Sequence, residues 1–395
     1  MSSSKKRIRI LVAPNAFKES LTATDAANAI SKGIQKILPN AIITKLPIAD
    51  GGDGTLEAVV SGTNGKKLRS PVLDPIGRKI TAEYGLTGNG KTAVIEMSRA
   101  SGLALVTPKH RNPMLLTSYG TGQLINAALK RGVKDIILGI GGSATVDGGI
   151  GALEALGFEF FNSRNKPVAR GGKGLKSIVR VETNHVNPLL KKVRILVACD
   201  VDNPLVGPKG AAHVFGPQKG ATPAMVKELD LALISFGNII LKKTGLDISR
   251  VPGTGAAGGI AGSFMGLVNA QLRPGSDLVF DLLKVQKKVK RADYVITGEG
   301  QIDFQTPFGK GPGMLAKLAK ELEVPVIGIA GSIGKNVDSL FNEGFTALFS
   351  IINSPMSIKD AISQAAQLIE EQSEQIARLL SYSFGQKKMI EEKFN

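Results

Sequence analysis

The segment Ile8-Arg-Ile-Leu-Val-Ala-Pro-Asn-Ala-Phe-Lys-Glu-Ser-Leu-Thr-Ala-Thr-Asp25 decides the fold class of this chain. Its first part, residues 8–12, is an apolar run ended by Pro14, which is typical of a buried strand. Thr22 with Asp25 is a helix-start pattern, and apolar residues follow it at helical spacing. A buried strand followed by an amphipathic helix is the repeating unit of a parallel sheet, so the segment predicts an α/β fold.

The same strand-and-helix order recurs near both ends of the chain and is interrupted in the middle. Residues 66–97 predict short strands joined by tight turns, a meander instead of further strand–helix units. Near the C-terminus, Ser357 with Asp360 is the start pattern of a long helix. The strands predicted at the two ends are residues 8–12, 41–48, 294–297, 324–330 and 346–350.

This order indicates one α/β domain made from both chain ends, with a second, mixed α/β domain inserted between them. A chain of 395 residues also favours two or three domains, at ~150 residues each. We place the first domain at residues 1–65 and 292–382, and the inserted domain at 66–291. Residues 383–395 are predicted to form a charged, frayed tail.

Composition excludes several classes of protein. A chain that is 43% hydrophobic can bury a large core, so it is not disordered. A single cysteine, Cys199, excludes a disulfide framework within the chain, and the N-terminus lacks the long apolar run of a signal peptide. We therefore expect a cytoplasmic protein. The uncharged residues 251–272 hold too many glycines and polar side chains to predict a membrane span.

The net charge is +17, from 50 Lys plus Arg and 33 Asp plus Glu. Three explanations are open at this point: a solvated basic surface, attraction of anionic small substrates, or nucleic-acid binding. The basic residues are scattered, and an aromatic content of 5% disfavours base stacking. We therefore expect no nucleic-acid partner.

Glycine is abundant, with 47 residues, and much of it follows predicted strands or opens predicted helices. Backbone N–H groups of such loops approach phosphate oxygens closely, and a helix N-terminus adds a favourable dipole. Tight turns or close helix packing without a ligand remain the alternative for each loop. The candidate phosphate-binding residues are Gly120, Thr121, Gly122, Gly141, Gly142, Ser143, Thr145, Asp147, Gly148, Gly255 and Gly258.

Carboxylates lie at the same strand ends. Beside phosphate-binding loops, they suit Mg²⁺, which prefers oxygen ligands, or one of them accepts the proton of an attacking hydroxyl. Lys18, in the loop after the first strand, is a candidate to neutralise a phosphate or a substrate carboxylate. Loop or helix-cap roles, and a solvated surface role for Lys18, stay open. The carboxylates are Asp50, Asp53, Asp147, Asp200, Asp202, Glu299 and Asp303.

One motif is a decoy. Gly85-Leu-Thr-Gly-Asn-Gly-Lys-Thr92 matches the P-loop pattern, which requires a helix directly after Lys91 and Thr92. The apolar residues 93–97 predict a strand there instead, and Asn89-Gly90 predicts a type I′ hairpin turn. A P-loop NTPase is therefore the lesser alternative.

Six motifs together resemble the bacterial type I glycerate kinases. The resemblance runs from about Arg7 to about Leu380 and does not cover the residues after Tyr382. Arg99 stands where we expect a small residue. The motifs are Val12-Ala-Pro-Asn-Ala-Phe-Lys-Glu-Ser-Leu21, Ile48-Ala-Asp-Gly-Gly-Asp-Gly-Thr55, Ile140-Gly-Gly-Ser-Ala-Thr-Val-Asp-Gly-Gly149, Cys199-Asp-Val-Asp-Asn-Pro-Leu205, Gly210-Ala-Ala-His-Val-Phe-Gly-Pro-Gln-Lys-Gly220 and Gly298-Glu-Gly-Gln-Ile-Asp303.

The resemblance implies an ATP-dependent kinase that phosphorylates D-glycerate. It implies two α/β domains, the first Rossmann- or flavodoxin-like and the second inserted into it, with the active site in the cleft between them. The implied product is 2-phosphoglycerate, with 3-phosphoglycerate as the alternative. ATP and D-glycerate are then the partners, and Mg²⁺ accompanies ATP. A homo-oligomer is left open.

The resemblance also distributes roles among the candidate residues. The glycine-rich loops would hold ATP. Asn15, Lys18 and Ser20 would bind the substrate. Asp200 would orient or deprotonate the acceptor hydroxyl, and Asp50, Asp53 and Asp303 compete with it for that role. The full set of predicted catalytic residues is Asp200, Lys18, Asp50, Asp53, Glu299 and Asp303, and the predicted metal ligands are Asp50, Asp53 and Asp147.

Overall fold

The computed structural model describes residues 7–49, 52, 54–304, 306 and 311–394. Its strands are β1 (Arg9–Val12), β2 (Ile42–Lys45), β3 (Lys66–Leu73), β4 (Lys79–Leu86), β5 (Thr92–Glu96), β6 (Asp135–Gly139), β7 (Glu159–Phe161), β8 (Arg180–Glu182), β9 (Arg194–Ala198), β10 (Gln271–Arg273), β11 (Tyr294–Ile302), β12 (Val326–Ile333) and β13 (Phe345–Ser350).

The α-helices lie between and after these strands. They are α1 (Ala23–Ile37), α2 (Thr55–Gly62), α3 (Ser98–Ser101), α4 (Tyr119–Leu129), α5 (Ile150–Ala155), α6 (Gly172–Leu175), α7 (Ala211–Phe215), α8 (Pro223–Thr244), α9 (Ile260–Val268), α10 (Gly275–Leu283), α11 (Val285–Val289), α12 (Gly311–Glu321), α13 (Asp338–Asn342), α14 (Ile358–Ser363) and α15 (Ala365–Phe394). Short 3₁₀ helices cover Leu103–Leu105, Pro108–His110, Pro188–Lys192, Pro217–Lys219 and Ala256–Gly259.

The chain divides into two units. The first comprises Met1–Asp50, Glu57–Gly62 and Val279–Asn395, and the second comprises Gly51–Leu56 and Thr63–Leu278. The first unit is thus built from both ends of the chain. The return to it begins at Val279, ahead of residue 292, where the sequence places the boundary. The domain bounds that we infer from the sequence, 1–65 with 292–382 and 66–291, stay a prediction.

The sheet of the first unit has the strand order β13-β12-β11-β1-β2, and all of its neighbouring pairs are parallel. Renumbered within this unit, the order is 2-1-3-4-5, which is the flavodoxin-like arrangement. Each of the five strands predicted at the chain ends overlaps one of these strands. The predicted α/β class is confirmed, since the chain forms parallel sheets flanked by helices.

Helix α1 packs closely on α15 in this unit. A Cβ on Gly33 would lie 2.2 Å from the carbonyl oxygen of Glu370, so only glycine permits this approach. On the exposed side, Lys32 and Lys36 pair with Glu370 at 2.7 and 2.5 Å. The sequence predicts one long helix from Ser357, but the structure ends α14 at Ser363 and begins α15 at Ala365. Helix α15 then continues to Phe394, through the segment predicted as a frayed tail.

The second unit contains a mixed sheet with the order β10-β9-β6-β5-β4-β3. Strands β5, β6, β9 and β10 run parallel to one another, and the meander β3–β4–β5 is antiparallel as predicted. The antiparallel strands β7 and β8, which the sequence patterns did not predict, form a separate two-stranded sheet. Four of the six strands in the main sheet therefore end at the same edge, where a ligand site is expected.

The decoy motif is a hairpin. Strand β5 follows Lys91 directly, so no helix N-terminus is available to hold phosphates, and the P-loop alternative is wrong. The predicted turn type is also wrong. Gly90 has φ +67 and donates from its N–H to the carbonyl oxygen of Thr87 at 2.8 Å, whereas Asn89 lacks the positive φ that a type I′ turn requires.

The helix predicted over residues 256–269 is broken near its start. Ala257, Gly258 and Gly259 adopt left-handed conformations, with φ of +52, +74 and +93. Three successive left-handed residues cannot continue a right-handed helix, so α9 begins only at Ile260. No helix in the described part of the chain is long and apolar enough to cross a membrane.

Candidate functional site

A pocket of about 430 Å³ opens in the second unit, at the ends of its parallel strands. The last residues of β6 and β9, Gly139 and Ala198, are register partners, so the loops that leave them start side by side. These loops supply residues 140–143 and 198–201 to the pocket wall. Residues 215, 218–219 and 256–257 complete the wall together with Leu103 and Gly52.

Gly141 lies in this wall next to Gly52. Among the described residues, a Cβ at Gly141 would meet the Cα of Gly52 at 3.8 Å, an ordinary van der Waals contact, and the φ of Gly141 is not in the left-handed region. Within the described part of the chain, neither packing nor backbone conformation requires glycine here. The phosphate-binding role of Gly141 stays a prediction.

Several other predicted phosphate-binding glycines have packing reasons instead. A Cβ on Gly120 would lie 2.0 Å from the carbonyl oxygen of Leu73, and one on Gly122 would lie 2.2 Å from that of Ala152. At Gly255 and Gly258 the clashes would be with Pro204 and Thr145, each at 2.1 Å. These glycines permit close approach of neighbouring segments, and their ligand-binding roles stay predictions.

Asp147 is fully buried and joins two loops. Its Oδ2 accepts hydrogen bonds from the N–H and the hydroxyl of Ser118, both at 2.8 Å, and from the N–H of Gly151 at 3.4 Å. Its Oδ1 accepts from the N–H of Gly149 at 3.1 Å. Burial raises the pKa of Asp147, while these donors oppose the shift. The carboxylate is not part of the pocket wall, and its oxygens are already used by the protein, so the geometry favours a structural role over the predicted metal ligand.

Ser118 and Thr121, at the start of α4, belong to the same buried network. The Ser118 hydroxyl accepts from the N–H of Ala152 at 3.0 Å, and the Thr121 hydroxyl donates to that of Ser101 at 2.8 Å. Both side chains are fully buried. Their contacts are with protein groups, which explains these residues without a nucleotide.

Asp200 follows β9 and lines the pocket. It is exposed, and its Oδ1 accepts a hydrogen bond from the N–H of Gly275, the first residue of α10, at 2.8 Å. Cys199 beside it is half-buried, and burial raises the pKa of its thiol, which disfavours the reactive thiolate. Of the predicted catalytic carboxylates that the structure describes, Asp200 is the one in this wall.

Lys219 is a pocket residue to which the sequence assigned no role. It ends the 3₁₀ turn Pro217–Lys219, which Pro217 begins and left-handed Gly220 stops. The residue is 2% exposed, and its Nζ donates to the Ser143 hydroxyl and to the carbonyl oxygen of Thr145, both at 2.8 Å. Burial lowers the pKa of Lys219 to about 7, although the negative charge of Asp147 raises it. The motif that ends at Gly220 was the available signal, but it did not single out this lysine.

A second pocket, of about 360 Å³, lies in the first unit. Lys18 and Ser20 contribute to it from the loop after β1, and Gly300 and Gly331 from β11 and β12. Much of the remaining wall is apolar and comes from residues 351–365. This pocket is also at the carboxyl edge of a parallel sheet, so the structure brings Lys18 and Ser20 together at a typical ligand position.

The other predicted residues of the first unit are placed by hydrogen bonds. Asn15 binds β11 through its N–H, which donates to the carbonyl oxygen of Gly298 at 2.8 Å, and its side chain accepts from the N–H of Ala16. The hydroxyl of Thr306 donates to Glu299 and accepts from the N–H of Asp303, each at 3.1 Å. Asp50 and Asp53 lie outside the described residues.

Within the described ranges, no group of three or more His, Cys, Asp or Glu side chains is positioned to hold a metal ion. Magnesium, however, is usually held by one or two carboxylates together with substrate phosphates. Asp200 supplies a carboxylate to the pocket of the second unit. Gly52, which lies between Asp50 and Asp53 in sequence, also lines that pocket. The donor set fits a magnesium ion that arrives with a phosphorylated ligand.

The sequence matches the family described as "Glycerate kinase family" over residues 10–381. It is 47% identical to the glycerate kinase of Halalkalibacterium halodurans, over 95% of this chain and 98% of that protein. It is 43% identical to the glycerate 2-kinase of Escherichia coli, over 95% and 98% of the two chains. A crystal structure named for glycerate kinase 2 of Salmonella typhimurium LT2 superposes with a TM-score of 0.89 at 42% identity, covering 96% of this chain and 100% of that one.

Proposed function

Because this chain belongs to the glycerate kinase family, we propose that it transfers the γ-phosphoryl group of ATP to the C2 hydroxyl of D-glycerate. The products are then ADP and 2-phosphoglycerate. The observation that carries this proposal is the match over residues 10–381, together with the 43% identity to a relative named glycerate 2-kinase. The chain is accordingly a kinase that uses ATP and acts on small molecules.

Phosphoryl transfer depends mainly on positioning and charge neutralisation, which is the chemistry that the pocket of the second unit supports. We propose that the backbone of Gly141 and Gly142 and the hydroxyl of Ser143 hold ATP phosphates there. All three residues line that pocket, which supports this placement.

Asp200 is proposed as the group that orients or deprotonates the attacking hydroxyl. Its exposed carboxylate in the pocket wall supports this role, since a base must reach the substrate proton within hydrogen-bond distance. The hydrogen bond from Gly275 to Oδ1 holds the side chain in place. Glu299 and Asp303 remain proposed catalytic residues, although both engage Thr306.

Lys18, Asn15 and Ser20 are proposed to bind the carboxylate and hydroxyl groups of D-glycerate. Lys18 is exposed at the pocket of the first unit, so its ammonium group is accessible to a substrate carboxylate. Ser20 also belongs to this wall, where its hydroxyl donates to the carbonyl oxygen of Ile362 at 3.1 Å.

Magnesium is proposed as the companion of ATP, with Asp50 and Asp53 as its protein ligands. Gly52, which lies between them in sequence, lines that pocket and supports this choice. When bound, the ion would neutralise charge on the β- and γ-phosphates. Asp147 is left out of this proposal, because its carboxylate is enclosed by hydrogen-bond donors.

A coupled assay for ADP with Mg-ATP, with and without D-glycerate, tests the proposed activity. We expect ADP formation that depends on D-glycerate, and phosphorus NMR of the product to show phosphate on the C2 hydroxyl. Phosphate on the C3 hydroxyl would show that the product is 3-phosphoglycerate instead. If no ADP forms in the presence of D-glycerate, the proposed function is contradicted. We also propose that no nucleic acid binds, which salt-dependent retention on DNA or RNA would contradict.

A further inference from the structure

Lys219 is a buried cation with only neutral partners. Its two hydrogen-bond acceptors in the described part of the chain are the hydroxyl of Ser143 and the carbonyl oxygen of Thr145. The side chain of Asp147 is near enough to act through its charge, but its oxygens accept hydrogen bonds from other groups. The positive charge of Lys219 is therefore not matched by a hydrogen-bonded carboxylate among the described residues.

A buried ammonium group without a paired anion is unfavourable, because it loses its hydration and gains little in return. An ammonium group also carries three N–H donors, and two are used here. The protein thus holds at a fixed position an amine whose charged form is costly and which has one remaining donor. Such an arrangement points to an anionic ligand that completes it.

The position of Lys219 agrees with this interpretation. The residue lines the pocket that also contains Gly141, Gly142 and Ser143. A second polar group in the same loop has no hydrogen-bond partner among the residues that the structure describes, namely the fully buried Thr145 hydroxyl. Among the described residues, a cation without a hydrogen-bonded carboxylate and a hydroxyl without a hydrogen bond therefore occur in or next to the same glycine-rich loop.

We propose that Lys219 binds a phosphate oxygen of ATP in the pocket of the second unit, with its remaining N–H. This proposal rests on the proposed function and assigns the phosphate-neutralising cation of that site. The lysine also positions the loop, because its bonds to Ser143 and Thr145 fix the backbone that faces the same phosphate.

A phosphate is favoured over the carboxylate of D-glycerate because of the groups that surround Lys219. The glycine-rich backbone of Gly141 and Gly142, which lines the same pocket, suits a tetrahedral group that accepts several N–H bonds. The pocket of about 430 Å³ is also large enough for part of a nucleotide, whereas glycerate has only a few heavy atoms.

Two variants test the proposal. Lys219→Met removes the charge and keeps the approximate shape, and Lys219→Gln removes the charge but keeps an NH₂ group that can donate to Ser143 and Thr145. Lys91→Met is the matched control, because Lys91 is exposed in the β4–β5 turn, outside the pocket. Circular dichroism and thermal unfolding establish that each variant is folded.

The dissociation constant for ATP is measured by calorimetry without glycerate. We expect it to rise roughly 10- to 100-fold in both Lys219 variants, the usual effect of losing a charge-assisted hydrogen bond. Lys91→Met should bind ATP like the wild type. In steady-state assays, the KM for ATP should rise and kcat should fall, while the KM for D-glycerate stays the same.

Unchanged ATP affinity in a folded Lys219→Gln protein would overturn the proposal. A rise in the KM for D-glycerate alone would reassign Lys219 to the carboxylate of the acceptor and equally overturn it. The binding measurement is independent of catalysis. A wild-type protein that binds ATP but forms no ADP with D-glycerate would contradict the proposed function, while the Lys219 variants would still decide the phosphate contact.

Discussion

Asp147 accepts hydrogen bonds from both the N–H and the hydroxyl of Ser118, each at 2.8 Å. This pair connects the start of α4 to the loop that follows β6, and it does so without solvent contact. The loop that carries Gly141, Gly142 and Ser143 is therefore held from behind by a carboxylate, and from the pocket side by Lys219.

Replacing Asp147 by Asn should destabilise the second unit by ~2–4 kcal/mol, because charged hydrogen bonds are lost and an NH₂ group faces donors. Chemical denaturation monitored by circular dichroism measures the change. Asp338→Asn, at the exposed start of α13, is the control and should stay within ~0.5 kcal/mol of wild type. A stable Asp147→Asn protein that loses magnesium-dependent ATP binding would favour the metal role instead.

Asp200→Asn should keep the fold, because the Asn side chain preserves an oxygen that accepts from Gly275. It should lower kcat by roughly 10²- to 10⁴-fold, the usual contribution of a general base. The coupled ADP assay measures the effect, with Asp202→Asn as the comparison, since Asp202 is exposed and does not line the pocket. Turnover that is unchanged in folded Asp200→Asn would remove Asp200 from the mechanism.

Lys219 should make the stability of the ligand-free protein depend on pH. Its pKa is about 7 in the folded chain and 10.5 as the unperturbed value, so the unfolded chain holds more protons between these limits. Stability should therefore rise with pH across that window, by up to ~1.4 kcal/mol per pH unit.

The measurement for this prediction is the difference in unfolding free energy between wild type and Lys219→Met at pH 7, 8 and 9. Contributions from other titrating groups cancel in that difference. The unfolding free energy of the wild type should increase relative to that of the variant as the pH rises. A difference that does not change with pH would contradict the lowered pKa of Lys219.

Thr145→Val should stabilise the ligand-free protein. The Thr145 hydroxyl is buried with no partner in the described part of the chain, which costs ~1–3 kcal/mol, and valine has the same shape without that group. Thr121→Val is the matched control, because the equally buried Thr121 hydroxyl bonds to Ser101. The melting temperature should rise for the first variant and fall for the second, and a fall in both would contradict the unpaired state of Thr145.

The α/β class and the strand ends were predictable from sequence because both depend on local patterns. An apolar run that stops at a proline or glycine marks a strand such as β1 wherever it lies in the fold. The residues after β6 and β9 could also be predicted to line one candidate pocket, since parallel strands end at one edge of the sheet.

The reasons for individual glycines were not predictable. Gly120 and Gly141 look alike in sequence, but a Cβ on Gly120 would lie 2.0 Å from the carbonyl oxygen of Leu73, whereas one on Gly141 would make an ordinary contact with the Cα of Gly52 at 3.8 Å. That difference comes from segments distant along the chain. The same limit applies to Lys219, which is one of 50 basic residues and is distinguished only by the burial that tertiary packing imposes.

The pairing of β1 with β11 has a consequence for how the chain folds during synthesis. Ile10 is the register partner of Tyr294, and Arg9 binds Asp293, which is 284 positions further along the chain. The ribosome releases all strands of the second unit before β11 exists, so β1 and β2 must wait beside a growing chain without their central neighbour. A sheet whose neighbouring strands are far apart in the sequence has a high contact order, and such sheets form slowly. The N-terminal strands are therefore the segment of this protein most in need of protection from wrong partners while it is being made.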